Sequence, residues 1–271
     1  MSLSEQQPCV VVTGATGYFG GYFVSALAKH YRVIALARSA DKLAALKAQN
    51  SEAAQINIDT QVCDLSDLQA SRDLMRQLMQ TNNIIGLVNN AFPLGKATGF
   101  NTPEGALNSI NTDMVSQAFC AGALAPLVLI QEFGNALMQR GAAGKIVNIS
   151  SMYASVSPDP ALYEGKTTFN PVSYGMTKAA LEYLTKYVAS FWGAKGIRCN
   201  AIAPGPFPNT EFESENATRD EPFLARLKAK NCNHQVGHPS QLIGALTLLL
   251  SDDAEFINGE IIRVDGGWTV R

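Results

Sequence analysis

The strongest constraint on the fold is an alternation along the chain. Short apolar runs rich in β-branched residues alternate with segments of helical periodicity, and short connections join them. The first run is Cys9 to Thr13, with the sequence CVVVT, and a helical pattern from Gly20 to Lys29 follows it. Near-continuous apolar strands need cover on both faces. The chain therefore predicts an α/β fold, a doubly wound parallel sheet between two layers of helices (α/β/α).

The remaining predicted elements continue this alternation. Strands are expected at Arg32 to Ala37, Gln61 to Cys63, Ile84 to Asn89, Lys145 to Ser150, Ile197 to Ala203 and Glu260 to Val264. Helices are expected at Asp41 to Gln49, Asp67 to Met79, Asp113 to Arg140 and Pro171 to Lys195. No linker divides the chain, so residues 1–271 are expected to form a single domain. Loops at Ala91 to Asn101 and Pro204 to Asp220 follow strand ends, where open α/β sheets bind ligands.

Composition excludes several classes of protein. Apolar residues make up 46% of the chain and charged residues 16%, which suits a large core and argues against disorder. The net charge of −2 gives no overall basic field, so no nucleic-acid or membrane partner is expected. Residues 1–8 lack the regions of a signal peptide, and the apolar stretch near Gly244 to Leu250 is too short to span a bilayer. A cytoplasmic protein is expected.

The cysteines and histidines do not predict a metal site. The five cysteines lack paired spacing, which favours free thiols in a reducing compartment. His234 and His238 are four residues apart, but Pro239 follows and no carboxylate lies within five residues of them. We therefore expect no bound metal.

A glycine-rich turn follows the first predicted strand and opens the first helix. Its glycines leave room for a tight turn and for a pyrophosphate close to the backbone, while the helix presents free N–H groups and its positive dipole end. Glycines also serve ordinary turns, but a place between a strand and a helix is the context that a dinucleotide site requires. The residues expected to contact the nucleotide here are Gly14, Thr16, Gly17, Tyr18, Phe19 and Gly20.

The end of the second predicted strand bears on which dinucleotide binds. An acidic residue near this point favours NAD, whereas an arginine suits the 2′-phosphate of NADP. Ala37 offers no acid and Arg38 offers a positive charge, so we expect NADP(H), with NAD(H) as the alternative and a merely solvated Arg38 as the plainer interpretation. Asp64, followed by Leu65, ends the third strand and can accept from the adenine amine or cap the next turn.

A serine, a tyrosine and a lysine follow with a spacing that suits proton transfer. Ser151 ends a predicted strand, and Tyr174 and Lys178 are four residues apart on one face of a predicted helix. A nearby ammonium lowers the pKa of a phenol, which can then exchange a proton with an alcohol or carbonyl. A serine hydroxyl can hold the substrate oxygen. Tyr163 is a rival tyrosine, but its fourth following residue is Thr167 instead of a lysine.

Together these residues resemble the short-chain dehydrogenase/reductase family. The resemblance spans nearly the whole chain and also takes in Asn89-Asn90-Ala91, Pro204-Gly205 and Val264-Asp265-Gly266-Gly267. It implies a Rossmann-type fold in which Tyr174 is the general acid/base, Lys178 lowers its pKa and binds the nicotinamide ribose, and Ser151, preferred over Ser150, orients the substrate oxygen. It also implies cofactor contacts from Asn90, Ala91, Tyr174, Lys178, Pro204, Gly205 and Phe207.

The sequence departs from the family pattern at four points. The glycine loop has Gly17 and Tyr18 in a spacing similar to the extended members, which often act on nucleotide sugars. Gly122 stands where many members carry an asparagine, and Asn111 is too far upstream to replace it. Phe92 stands in place of a common glycine. Ser151 and Tyr174 are 23 positions apart, which is longer than usual and inserts polar and aromatic residues beside the site.

Three functional hypotheses follow. The leading one is an NADP(H)-dependent oxidoreductase acting on a carbonyl/alcohol pair, with substrate-loop segments near 152–170 and 204–230; these segments resemble members from sugar or surface-polysaccharide pathways. The alternatives are a nucleotide-sugar epimerase or dehydratase that retains NAD, and a non-catalytic NADP-binding sensor. The two long predicted helices carry more apolar residues than one buried face needs, so a homodimer or homotetramer is expected.

Overall fold

A computed structural model describes residues 7–210 and 220–270 of the chain. Its sheet has seven parallel strands in the order β3-β2-β1-β4-β5-β6-β7. The strands are β1 Cys9–Thr13, β2 Arg32–Ala37, β3 Ile58–Val62, β4 Ile84–Asn89, β5 Gly144–Ile149, β6 Ile197–Pro204 and β7 Ile261–Val264. The strand order reverses between β1 and β4, and the crevice at the carboxyl ends of these two strands is where such sheets bind ligands.

Helices cover both faces of the sheet. They are α1 Tyr18–Leu27, α2 Ala40–Ala48, α3 Glu52–Gln55, α4 Leu68–Thr81, α5 Thr112–Phe119, α6 Ala125–Arg140, α7 Val172–Trp192, α8 Glu221–Lys230 and α9 Ile243–Leu250. The three-layer, doubly wound architecture predicted from the alternation is therefore confirmed.

Two hydrophobic cores lie on opposite faces of the sheet, because alternate strand residues point to opposite sides. Cys9 and Val11 pack with residues of α4, α6 and α7 in one core. Val10 and Val12 pack with residues of α1, α2 and α9 in the other. Strand β6 is buried along its whole length, although it carries Arg198 and Asn200 among its apolar residues.

Some predicted strand and helix boundaries differ from the structure by a few residues, and one long predicted helix is divided. Strand β3 begins at Ile58, three residues before the predicted Gln61, because the polar Asp59 and Thr60 pair with β2 near the edge of the sheet. The predicted helix from Asp113 to Arg140 is divided, since a π-helical step over Cys120–Leu124 separates α5 from α6. Helix α8 was not predicted; it begins directly after the expected loop Pro204 to Asp220 and lies within the expected substrate-loop segment 204–230.

A longer apolar helical run lies upstream of the stretch near Gly244 to Leu250. Residues Thr112–Arg140 form a helical run that is long and apolar enough to cross a membrane by length and composition, with a mean hydropathy of 1.6 in its most apolar window. Half of that window is buried within the fold. Core helices of globular proteins pass the same test, and here α6 packs against α4 and contributes Leu129, Ile130 and Phe133 to the core.

Irregular segments gather at the carboxyl edge of the sheet. The predicted loop from Ala91 to Asn101 is irregular. Between Ser151 and α7, the chain forms two short 3₁₀ turns, Met152–Ala154 and Pro160–Tyr163. Of the loop predicted at Pro204 to Asp220, residues 211–219 lie outside the described part of the chain.

Candidate active site

The glycine loop closes tightly between β1 and α1. Gly14 has φ +62°, and a Cβ there would lie 2.8 Å from the Ala91 Cα. A Cβ at Gly20 would lie only 2.2 Å from the Gly14 carbonyl oxygen. Gly17 precedes α1 and provides no side-chain cap, so the first-turn N–H groups remain available to an anion. This backbone cradle fits a dinucleotide phosphate.

Asn90 joins the two strand ends that flank the crevice. Its Nδ2 donates to the carbonyl oxygens of Thr13 and Gly14, at 3.0 and 3.1 Å. The backbone N–H groups of Asn90 and Ala91 both donate to the Thr13 hydroxyl. Thr13 was not singled out from the sequence, because a threonine that ends a strand carries no distinctive signal. The structure thus brings Asn90 and Ala91 to the glycine loop as predicted.

Arg38 and Asp64 approach each other at the ends of β2 and β3. Both side chains are exposed, and Leu65 behind them is buried. Hydrogen bonds from the Ser66 N–H and hydroxyl lower the pKa of Asp64, and the positive charge of Arg38 lowers it further. Asp64 therefore caps the following turn, which was one of the two roles predicted for it.

Pro204, Gly205 and Phe207 lie at the end of β6, on the carboxyl edge of the sheet. A Cβ at Gly205 would lie 2.6 Å from the Asp265 Cα, so the loop needs glycine to pass the β7 end. The ring of Phe207 meets that of Phe19 edge-on at 5.6 Å, while Tyr18 contacts Phe19 at 5.8 Å. Tyr18, Phe19 and Phe207 therefore form one aromatic group between the two loops.

Ser151, Tyr174 and Lys178 come together where β5 ends against α7. Lys178 is almost fully buried, and its Nζ donates to the Ile149 carbonyl oxygen at 2.7 Å. Its Nζ also lies 5.6 Å from the Tyr174 ring centroid. The Ser151 hydroxyl interacts with the Tyr174 phenol by hydrogen bonding. The grouping predicted from the sequence is thus present in space.

The electrostatics of Tyr174 differ from the expectation. Burial raises the pKa of Tyr174, and the hydrogen bond from Ser151 offsets only part of this rise. Burial also lowers the pKa of Lys178 to about 8. The predicted lowering of the tyrosine pKa by the lysine is therefore wrong, because loss of solvent disfavours both charged forms.

Two aromatic rings enclose Tyr174 on the side of the β4 loop. The rings of Phe92 and Phe100 meet the Tyr174 ring edge-on, at 5.0 and 5.1 Å. The Ser173 hydroxyl donates to the Thr98 carbonyl oxygen at 3.1 Å and so fastens this loop to α7. The sequence singled out Phe92 as a replacement for a common glycine, but it did not single out Phe100.

Gly122 explains how the chain accommodates Phe92. A Cβ at Gly122 would lie 2.5 Å from Cγ2 of Thr177 and 2.9 Å from Cδ2 of Phe92. No larger side chain fits there unless these neighbours move. Asn111 caps α5 by accepting from the Met114 N–H, which agrees with its exclusion as a substitute.

Glu182 is a further residue of the site that the sequence did not reveal. It accepts a hydrogen bond from the Ser150 hydroxyl at 2.8 Å, one helical turn after Lys178. Burial raises the pKa of Glu182, while Ser150, Lys186 and Arg263 act in the opposite direction. A glutamate within a helix commonly faces solvent, so only the tertiary contact distinguishes it.

The segment between Ser151 and α7 packs on α8. Arg226 donates to the carbonyl oxygens of Leu162 and Glu164, at 2.8 and 3.1 Å. Lys166 pairs with Asp220 at 2.7 Å, and an ion pair also joins Lys230 to Asp159. Tyr163, the rival tyrosine, contacts Phe169 and Phe223 at 4.6 and 5.4 Å between ring centroids. Tyr163 is therefore part of an aromatic cluster at the insertion.

The cysteines are present as thiols, and the ring of His238 makes hydrogen bonds. All five cysteines are free; Cys9, Cys63 and Cys199 are buried, whereas Cys120 and Cys232 are half-buried. The ring of His238 hydrogen-bonds to the Tyr22 and Ser240 hydroxyls. Within residues 7–210 and 220–270, no three His, Cys, Asp or Glu side chains cluster as metal ligands.

This arrangement matches known proteins over almost the entire chain. A family model described as enoyl-(acyl carrier protein) reductase matches residues 20–269. The galactitol 2-dehydrogenase (L-tagatose-forming) of Cereibacter sphaeroides is 30% identical over 265 residues, which is 97% of this chain and 95% of the relative. The chain belongs to the short-chain dehydrogenase/reductase family. It is an oxidoreductase that interconverts carbonyl and alcohol groups.

Solved structures of this family share the fold. One, assigned as an NAD(P)-dependent gluconate 5-dehydrogenase of Beutenbergia cavernae with NADP bound at low occupancy, is 26% identical, has a TM-score of 0.80, and covers 97% of each chain. A short-chain dehydrogenase of Leptospira borgpetersenii with bound NAD⁺ is 24% identical, has a TM-score of 0.80, and covers 97% of this chain and 93% of its own. Both nicotinamide dinucleotides thus occur in relatives with this fold.

Proposed function

We propose that this short-chain dehydrogenase/reductase is an NADP(H)-dependent oxidoreductase that acts on a hydroxylated, sugar-like substrate. The observation that carries the proposal is the meeting of Ser151, Tyr174 and Lys178 at the end of β5, beside the glycine cradle. The cofactor supplies or accepts the hydride when it is bound. The remaining chemistry belongs to the side chains of the protein.

Tyr174 is the proposed acid/base. In carbonyl reduction its phenol donates a proton to the substrate oxygen, and in alcohol oxidation its phenolate removes the hydroxyl proton. Burial raises the pKa of Tyr174, so the protonated phenol is its favoured form in this arrangement. Ser151 donates to the same substrate oxygen as charge develops on it.

Lys178 is the proposed partner of both the tyrosine and the nicotinamide ribose. An ammonium has three donors, and the Ile149 carbonyl oxygen accepts one of them. The remaining donors can serve the ribose hydroxyls. The contact with Ile149 fixes the ammonium beside the Tyr174 ring, where its charge favours the phenolate whenever the proton leaves.

The preference for NADP(H) rests on Arg38 at the end of β2. Its guanidinium is exposed, lies close enough to Asp64 to lower the pKa of that carboxyl, and can pair with a 2′-phosphate. The cradle residues Gly14, Thr16, Gly17, Tyr18, Phe19 and Gly20 would hold the pyrophosphate side. Asp64, Leu65, Asn90, Ala91, Pro204, Gly205 and Phe207 would complete the cofactor site.

The substrate class rests on the relatives and on the insertion. The matched relatives include dehydrogenases named for galactitol and gluconate. The 152–170 segment places the hydroxyl-bearing Tyr153 and Tyr163 together in one cluster with α8. We therefore propose one domain, with substrate-loop segments near 152–170 and 204–230. We also propose that the protein is cytoplasmic and assembles as a homodimer or homotetramer.

The central test compares two tyrosine variants on one panel. Wild type, Tyr174→Phe and Tyr163→Phe are assayed with NADPH and NADH on ketoses, aldehydes and polyols that include L-tagatose and galactitol. General acid–base catalysis contributes about 10²- to 10⁴-fold, so Tyr174→Phe should lose at least about a hundredfold in kcat. Tyr163→Phe is the matched control and should keep most of it. The reverse pattern would make Tyr163 the acid/base.

The same purified protein tests the preference for NADP(H) and the two alternative functions. Arg38→Ala should weaken NADPH binding about tenfold or more while leaving NADH binding nearly unchanged, because only the 2′-phosphate pairs with the guanidinium. A wild-type preference for NADH would contradict this role. Tight cofactor binding without turnover of any substrate would indicate the sensor, and retained NAD without net turnover would indicate the epimerase or dehydratase. The named relatives favour neither alternative.

A further inference from the structure

The Lys178 ammonium lies in a dry corner of the site. The residue is 3% exposed, and its Nζ donates to the backbone oxygen of Ile149. The ring centroids of Phe92 and Tyr174 lie 5.4 and 5.6 Å from Nζ. The Ile149 carbonyl oxygen and the aromatic rings offset only part of the cost of burying this ammonium, because its pKa remains below the ordinary lysine value.

Phe92 closes this corner because three elements position its ring. Its own loop follows β4 and is fastened to α7 by the hydrogen bond between Ser173 and Thr98. The ring meets Tyr174 edge-on at 5.0 Å. On the other side it lies so close to Gly122, in the π-helical step, that a Cβ there would come within 2.9 Å of it. Such π-helical steps often occur at functional sites.

We propose that Phe92 is a positioning residue, which excludes water from the Lys178 ammonium and thereby holds it against the end of β5 beside Tyr174. The π-helical step at Gly122 provides the space in which the ring can do this. The kinetic consequence of this role rests on the proposed function, whereas its effect on the lysine does not.

The physical consequence concerns the protonation of Lys178. Burial is the cause that lowers the pKa of Lys178 to about 8. Tyr174 is the titratable group beside the ammonium, while Tyr153 interacts with Tyr174 and Glu182 with Ser150. A lysine with a lowered pKa loses its charge as the pH rises through that value. Admitting water restores the solvation of the ammonium, so opening the corner should raise the pKa toward the ordinary lysine value.

The direct test follows Lys178 in the cofactor-free protein. The ¹³Cε resonance of Lys178 is assigned by its loss in Lys178→Met and titrated in wild type, Phe92→Ala, Phe92→Val and Phe100→Ala. Phe92→Ala should raise the midpoint by about one pH unit or more, and Phe92→Val by a smaller amount. Phe92→Val provides the same test of the Lys178 midpoint if Phe92→Ala does not fold.

Phe100→Ala is the matched control, because Phe100 also packs on the Tyr174 ring, at 5.1 Å. It should leave the Lys178 midpoint near the wild-type value. The proposal is overturned if the Phe92 variants titrate like wild type. It is equally overturned if Phe100→Ala shifts the midpoint as far as Phe92→Ala does, since general loosening would then explain both.

The kinetic test uses reduction of L-tagatose by NADPH, in which protonated Tyr174 and charged Lys178 act together. The wild-type rate should fall above about pH 8, and the alkaline limb should move upward in Phe92→Ala in step with the ¹³C midpoint. An unmoved limb would contradict the positioning role. If Tyr174→Phe retained full turnover, the proposed function would fail while the lysine titration still decided the role of Phe92.

Discussion

At the residue scale, hydrogen bonds from neighbouring groups hold the side chains of the active site in position. Lys178 is held by the Ile149 carbonyl oxygen, and Ser150 is held by Glu182 one turn further along α7. These two contacts join the end of β5 to consecutive turns of the same helix. Ser151 follows Ser150 directly, so these contacts support its position beside Tyr174 in addition to the hydrogen bond between Ser151 and Tyr174.

Loss of the Glu182 acceptor should disturb Ser151 indirectly. Glu182→Leu leaves the Ser150 hydroxyl buried with only the Lys178 carbonyl oxygen nearby, at 3.4 Å. We expect a loss of about 1 kcal/mol in the free energy of unfolding and a fall in kcat with KM little changed. Urea unfolding and steady-state kinetics measure the two effects.

Glu182→Gln is the control for this prediction, because its amide oxygen still accepts from Ser150. It should behave nearly like wild type in both measurements. A Glu182→Leu variant that unfolds earlier but keeps its full kcat would show that the contact stabilises the fold without positioning the serine.

The residue scale also shows why part of the site could be predicted. Ser151, Tyr174 and Lys178 carry their chemistry in residue type and spacing, so the sequence was sufficient to group them. The pKa direction of Tyr174 could not be predicted, because it depends on rings that come from a separate loop, Phe92 and Phe100. Spacing along a helix reports which groups are neighbours but not how much water surrounds them.

At the scale of the elements, the strands were easier to predict than the helices that shape the cleft. A buried strand such as β1, with the sequence CVVVT, is almost entirely apolar and therefore visible in the sequence. The π-helical step at Cys120–Leu124 and helix α8 owe their form to contacts with distant segments. Local periodicity carries little information about such contacts, so both were missed.

Helix α8 should determine the order of the 152–170 segment. Arg226 donates to two backbone oxygens of that segment, and the ion pairs of Lys166 and Lys230 are partly exposed and individually weak. Arg226→Ala should therefore loosen the segment, raising KM severalfold and making residues 152–170 more susceptible to chymotrypsin. Limited proteolysis with identification of the cleavage sites measures the second effect.

Lys228→Ala provides the comparison for Arg226, because Lys228 is exposed on the same helix. It should change neither KM nor the cleavage pattern. If Arg226→Ala were cleaved no faster than Lys228→Ala, the contacts to Leu162 and Glu164 would contribute nothing to the order of the segment, and its role as a substrate loop would lose its structural basis.

At the scale of the whole molecule, α7 connects the catalytic cleft to the outer surface. Its inner face carries Thr177, Lys178 and Leu181 toward the core and the site. Its outer face exposes an aromatic row of Tyr183, Tyr187 and Phe191, spaced four residues apart. The rings of Tyr187 and Phe191 stack at 5.8 Å. Large apolar side chains exposed in one row commonly mark a contact with another chain.

Self-association through this row is the prediction that belongs to the whole molecule. Phe191 is 67% exposed and Tyr187 55% exposed, so a carboxylate at either position is tolerated by a monomer but not by a desolvated interface. Sedimentation velocity should show a dimer or tetramer for wild type and a marked shift toward monomer for Tyr187→Asp/Phe191→Glu. Phe256→Glu is the control, because Phe256 is fully exposed elsewhere, and it should sediment like wild type. A monomeric wild type, or a double variant that assembles as before, would show that this row does not form the interface.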